Sequence, residues 1–196
     1  MNRALTCALT DWSPKLGDNH FMGWVTVAVY VAAGLAAVFA ARALTGTDSD
    51  MRRERIFWRI AAVLMLFLAV NKQLDLQSFF TAFGRCHAKA NGWYEVRGQV
   101  QLWFIIGAGL FCLTVLAALL LLLRGLLVRL WPALLGLFFV SLFVLIRATS
   151  FHHVDELIGL WFGGFRMNWL LELPGPILVM LVALRRSQAS RPLFRA

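Results

Sequence analysis

The chain has 196 residues, 60% of them apolar and 15% charged, with a mean hydropathy of +0.72, whereas a soluble domain is about 45–50% apolar and roughly 25% charged. An ordinary cytosolic domain is excluded, as are a disordered chain, a collagen-like repeat and a disulfide scaffold, since the sequence has only Cys7, Cys86 and Cys112. A polytopic membrane protein is left, and its formal charge of +9 is tested as a topology signal before it is read as a nucleic-acid surface.

Ahead of the first apolar run, Asp11-Trp12-Ser13-Pro14 and Gly17-Asp18-Asn19-His20 read as turns folded over one mouth of the protein. Residues 21–41 then form an uncharged stretch, and a helix crossing a bilayer core of about 30 Å needs about 20 such residues. It is too long and starts too late for a secretory signal. Ala33, Ala37 and Ala41 make a small-residue row on this helix, suited to close packing within the bundle or to dimerisation. A second span covers 57–83, with a greasy first half and a polar second half that contains Asn71, Lys72, Asp75 and Gln77. Further spans are expected at 100–123, at 130–150 and at 168–184, the last interrupted by Glu172 and by Pro174-Gly175-Pro176.

Eleven Lys and Arg residues fall in the first and third connections and the tail, and eight fall on the other side, where seven of the ten acids also lie. The expected fold is therefore an all-α, single-domain bundle (1–196) of about five transmembrane helices, with the N-terminus outside and the C-terminus cytoplasmic. Topology accounts for the basic residues, so nucleic acid is not expected as a partner. A bacterial inner membrane fits best. Trp24, Trp93, Trp103, Trp161 and Trp169 fall near the outer ends and Trp58 and Trp131 near the inner ones, as an interfacial belt requires. Cys7 and Cys86 would both face the oxidising compartment, where they can pair, and Cys112 reads as a small core residue.

Helical rise places Lys72, Asp75, Arg147 and Glu172 roughly 20–27 Å from the cytoplasmic side, in one layer of the outer membrane third. Charges there are costly against lipid, so they should turn inward and pair. One reading is a neutral lock, with Asn71 and Gln77 adding hydrogen bonds. The other is a functional site beneath the run Arg147-Ala148-Thr149-Ser150-Phe151-His152-His153-Val154-Asp155-Glu156. A histidine beside a carboxylate serves as a metal-ligand pair or a general-base pair. The candidate catalytic residues are then His152, His153, Asp155, Asp75, Arg147 and Glu172. His152, His153 and Asp75 are the candidate ligands for a divalent metal such as zinc, although the chain has no HExxH, HxxxH or CxxC. Asn71, Lys72, Arg97, Gln101 and Ser150 are the candidate substrate-binding residues, since arginine's planar fork suits a phosphate or carboxylate headgroup.

The strings DWSPKLGDNHFMGW, NKQLDLQ, GWYEVRGQVQ, RATSFHHVD and NWLLELPG resemble those of a family of uncharacterised small bacterial inner-membrane proteins, a resemblance that implies no activity. Ser150, His152, His153 and Asp75 are similar in type to the zinc site of the seven-helix alkaline-ceramidase-like membrane hydrolases. That family's HxxxH pair and two of its helices have no counterpart here, so the comparison is one of analogy. Two functions are expected from these residues. The first is a membrane-embedded, metal-dependent hydrolase or transferase acting on a lipid or lipid-linked substrate. The second is a non-catalytic accessory or binding subunit partnered by another membrane protein. Haem chemistry fits less well because all four histidines map to one end, and transport fits less well because no inverted repeat is evident.

Overall fold

The computed structural model describes residues 3–12, 21–148, 161–162 and 165–189. Its elements are α1 (Arg3–Asp11), α2 (Phe21–Ala43), α3 (Ser49–Leu74), α4 (Leu76–Ala90), α5 (Arg97–Leu122), α6 (Leu127–Ala148), α7 (Met167–Glu172) and α8 (Pro174–Ala189). A 3-10 turn at Tyr94–Val96 precedes α5, and the two-residue strands β1 (Trp161–Phe162) and β2 (Phe165–Arg166) pair antiparallel. Four helical stretches are long and apolar enough to cross a membrane, at 21–43, 49–74, 94–122 and 127–146. The architecture is a helical bundle of membrane character.

The core is an alanine seam. Ala33, Ala36, Ala37, Ala40 and Ala41 of α2 meet Ala61, Ala62 and Ala69 of α3 and Ala183 of α8, all buried. With side chains this short, the backbones approach closely and van der Waals packing, the main attraction available between helices in lipid, becomes extensive. The Ala33, Ala37, Ala41 row is thus used within the chain. On the far side of α8, Leu130, Ala133, Leu137 and Val140 of α6 close the core around Val179. The helices follow the spatial order α3, α2, α8, α6.

Two expected boundaries are corrected. The second span does not run unbroken to residue 83, because Asp75 takes a left-handed conformation (φ 46°, ψ 49°) that ends α3, and α4 restarts at Leu76. Asp tolerates this region better than most residues because its short side chain relieves the backbone crowding. The fifth expected span, 168–184, is not among the four membrane-length helices and divides at Leu173 into α7 and α8. Pro174 and Pro176 lack the N–H groups that would bond the carbonyls of Leu170 and Glu172, which explains a break at this place. Trp58 also departs from the aromatic-belt expectation. It is fully buried and donates its indole N–H to Glu54, whereas Trp24, Trp103 and Trp131 are exposed as the belt requires.

The N-terminal helix α1 packs on α4, away from the alanine seam, through Ala4 and Ala8 and through the disulfide Cys7–Cys86. Trp12 at its end lies edge-on to Phe79 of α4, with ring centroids 5.1 Å apart. Residues 13–20 lie outside the described part. Helix α5 touches the bundle only loosely, at α6, and has no buried residue. Cys112 on α5 is a half-exposed free thiol and no part of the core.

Candidate functional site

The break at Asp75 and the break at Leu173 meet at the same end of the bundle. Lys72 occupies the last turn of α3, and Glu172 is the last residue of α7, one residue before the bend. Lys72 Nζ donates to Glu172 Oε2 at 3.0 Å, with side chains only 11% and 4% exposed. Two desolvated charges at this distance attract far more strongly than a surface pair, and separating them would leave each without the hydration it lost.

This pair lines a cavity of about 30 Å³, together with Tyr30 of α2, Leu68, Asn71 and Asp75 of the α3 terminus, and Phe143 and Val144 of α6. Room of that size holds one or two waters and no lipid headgroup. Tyr30 is only 2% exposed. Asn71 accepts, through its carbonyl, the backbone N–H of Asp75 at 2.9 Å, which holds the left-handed turn. The Asp75 side chain makes no capping hydrogen bond to α4. Asp75 is among the residues that line the cavity, where a carboxylate can accept from water or a cation.

Three of the four charges expected in one layer, Lys72, Asp75 and Glu172, therefore come together, and Asn71 joins them. Arg147 lies in the last turn of α6, one turn beyond Phe143 and Val144, and its side chain is outside the described part. Ser150, His152, His153 and Asp155 also lie outside the described residues. The candidate metal set is therefore seen only at Asp75. Among the described residues, the group of three metal-competent side chains within 4.8 Å of one another is Cys7, Asp11 and Cys86. The two cysteines there are bonded to each other. Arg97 and Gln101 do not line the cavity. Arg97 lies over the Tyr94 ring, 4.2 Å from its centroid, and donates to the Tyr94 carbonyl at 3.2 Å. A guanidinium over a ring anchors the start of α5.

A second charged cluster, unread in the sequence beyond its place in a connection, sits at the opposite end. Glu54 is 1% exposed. Arg186 of α8 reaches both its oxygens, Nε to Oε1 at 2.5 Å and Nη2 to Oε2 at 3.1 Å. Trp58 donates to Oε1 at 3.3 Å, and the exposed Arg129 approaches Oε2 at 3.8 Å. Nothing local signals a partner 132 residues away. Tyr30 was also missed, although a lone phenol in an alanine-rich apolar helix is a polar tip in need of a partner. Compared with known protein families, with curated proteins and with solved structures, the chain shows no significant match.

Proposed function

We propose that the chain is a non-catalytic accessory or binding subunit of a membrane complex, crossing a bacterial inner membrane five times, with α7 and α8 together making the fifth crossing and the N-terminus outside. The observation that carries this reading is α5, a helix of 26 residues with none buried. Bundle helices normally bury a stripe against their neighbours, and one that is apolar all round is free to receive helices of another protein. Gly107 and Gly109 support this, because a methyl group added at either would meet nothing within 4 Å, so a partner backbone has room to come close. The polar layer fits the same reading, since Lys72 and Glu172 neutralise each other around a water-sized cavity.

A metal-dependent hydrolase or transferase acting on a lipid or lipid-linked substrate is the second reading. Asp75 favours it, lying uncapped in the cavity wall beside the α6 segment that leads to Arg147, Ser150, His152, His153 and Asp155. In that case Asp75 and the histidines would hold zinc, Glu172 would tune the site and Arg147 would stabilise developing negative charge.

The test places a photo-crosslinking residue at Phe111, which is 68% exposed on α5, in native membranes, and measures bound metal in the purified protein. One discrete adduct to a single membrane protein is expected, with metal content unchanged in Asp75→Asn, His152→Ala and His153→Ala. Lipid adducts alone, or near-stoichiometric metal lost from those folded variants, would overturn the accessory reading.

A further inference from the structure

At the basic end of the bundle, an open groove of about 420 Å³ lies along the seam of α2 and α3. Its walls are Val38 and Ala41 from α2 and Ala62, Val63 and Leu66 from α3, and its mouth carries Arg42 and Arg59. Leu66 closes the deep end by lying over Gly34, where an added methyl would come within 2.8 Å of it. Rise per residue puts Val38 roughly 6 Å and Leu66 roughly 10 Å below the level of the arginines on their own helices. The groove is apolar at membrane depth and cationic at the membrane boundary.

Both arginines are exposed and, among the described residues, neither forms an ion pair with a carboxylate. Helix α2 contains no acid. Of the acids between Arg42 and Arg59, Asp48 caps α3 by accepting from the Met51 N–H, Glu54 within α3 is taken by Arg186, and Asp50 in the first turn of α3 forms no ion pair with Arg42 or Arg59. Two unneutralised guanidiniums beside an acyl-sized apolar channel call for a ligand with a negative head and a hydrocarbon tail. Basic pockets between transmembrane helices are suited to anionic lipid headgroups.

We propose that this groove binds one anionic phospholipid, its phosphate held between Arg42 and Arg59 and an acyl chain lying along Val38, Val63 and Leu66. The site is separate from the polar cavity at the other end and does not depend on the function assigned to it.

Native mass spectrometry of the full chain in neutral detergent tests the site, with dioleoylphosphatidylglycerol, dioleoylphosphatidylcholine and inorganic phosphate as probes. Phosphatidylglycerol should bind about tenfold more tightly than phosphatidylcholine, in line with a few-fold gain from each arginine near an anionic headgroup. Arg42→Gln/Arg59→Gln should bring the two lipids level. Arg52→Gln/Arg53→Gln, on the same connection but outside the groove, should retain the preference. Val63→Trp, at a position 70% exposed, should fill the groove and weaken phosphatidylglycerol binding with both arginines in place. Four results would each overturn the proposal: a preference retained without Arg42 and Arg59, equal loss in both double variants, undiminished binding in Val63→Trp, or inorganic phosphate binding as tightly as the lipid.

Discussion

Lys72 illustrates what a single charged residue requires at this depth. An ammonium facing hydrocarbon costs several kcal/mol, and the structure meets that demand by bringing Glu172 to 3.0 Å from a helix that ends at that point. Losing one member breaks a buried ion pair, at a cost of about 3–5 kcal/mol, whereas losing both removes two desolvation penalties together. Lys72→Gln and Glu172→Gln should therefore each destabilise the protein by about 3 kcal/mol, and the double variant should recover most of that, with a coupling of at least about 1 kcal/mol. Reversible unfolding in mixed micelles measures the cycle, and strictly additive losses would show that the pair does not hold the helix ends together. At the opposite end, Glu54 depends chiefly on the two-pronged contact from Arg186. Arg129, 59% exposed and 3.8 Å away, adds little because water screens it.

Helices here are placed by how closely their backbones can approach. Gly136 of α6 and Gly175 of α8 face each other so tightly that a methyl group on Gly136 would lie 2.7 Å from the Gly175 carbonyl oxygen, and one on Gly175 would lie 2.8 Å from the Gly136 carbonyl oxygen. Both obstacles are backbone and cannot rotate away. Gly136→Ala should thus destabilise the bundle by about 1–3 kcal/mol, the usual range for overpacking. Gly109→Ala on α5, with open space around it, should be neutral or slightly stabilising, since alanine favours the helix over glycine by about 1 kcal/mol. Thermal unfolding of the two variants side by side measures the contrast, and equal destabilisation would refute the proposed close contact of α6 with α8. Apolar run length made α2, α5 and α6 legible, because a membrane span requires some 20 largely apolar residues, whereas α3 has a charge-free run only over 60–71 and begins eight residues before the expected span. The proline break before α8 was legible for the same kind of local reason. The end of α3 was not, since the segment through Asp75 has the residue types of a continuing helix and carries no Pro or Gly to mark the left-handed turn. In the candidate site, depth arithmetic brought Lys72, Asp75 and Glu172 to one layer, but it carried no information on which acid would meet the lysine. The Glu54–Arg186 pair was invisible because both residues sit among arginines in segments that read as ordinary cytoplasmic flanks.

At the scale of the whole molecule, two independent kinds of observation order its ends. The Glu54 cluster ties the first connection to Arg129, beyond the α5–α6 turn, and to Arg186 near the tail. Three basic segments that the positive-inside count assigned to one side are thereby gathered at one end of the bundle. At the other end, Cys7 and Cys86 join α1 to α4, and a persistent disulfide belongs to an oxidising compartment. The proposed topology puts the disulfide outside and the arginine-rich end in the cytoplasm, the arrangement that the charge bias and the redox chemistry both call for. Single reporter cysteines test it in a Cys112→Ala background that keeps the disulfide intact. Asn91→Cys, in the turn after α4, should react with a membrane-impermeant maleimide in intact cells whose outer barrier is opened. Val128→Cys, at a position 91% exposed just past the α5–α6 turn, should react only after the inner membrane is broken. The reverse pattern would invert the topology and place the disulfide in a reducing compartment. Labelling of both sites in intact cells would instead mean that α5 does not cross the bilayer, and the assignment of that helix as a surface for a membrane partner would fail with it.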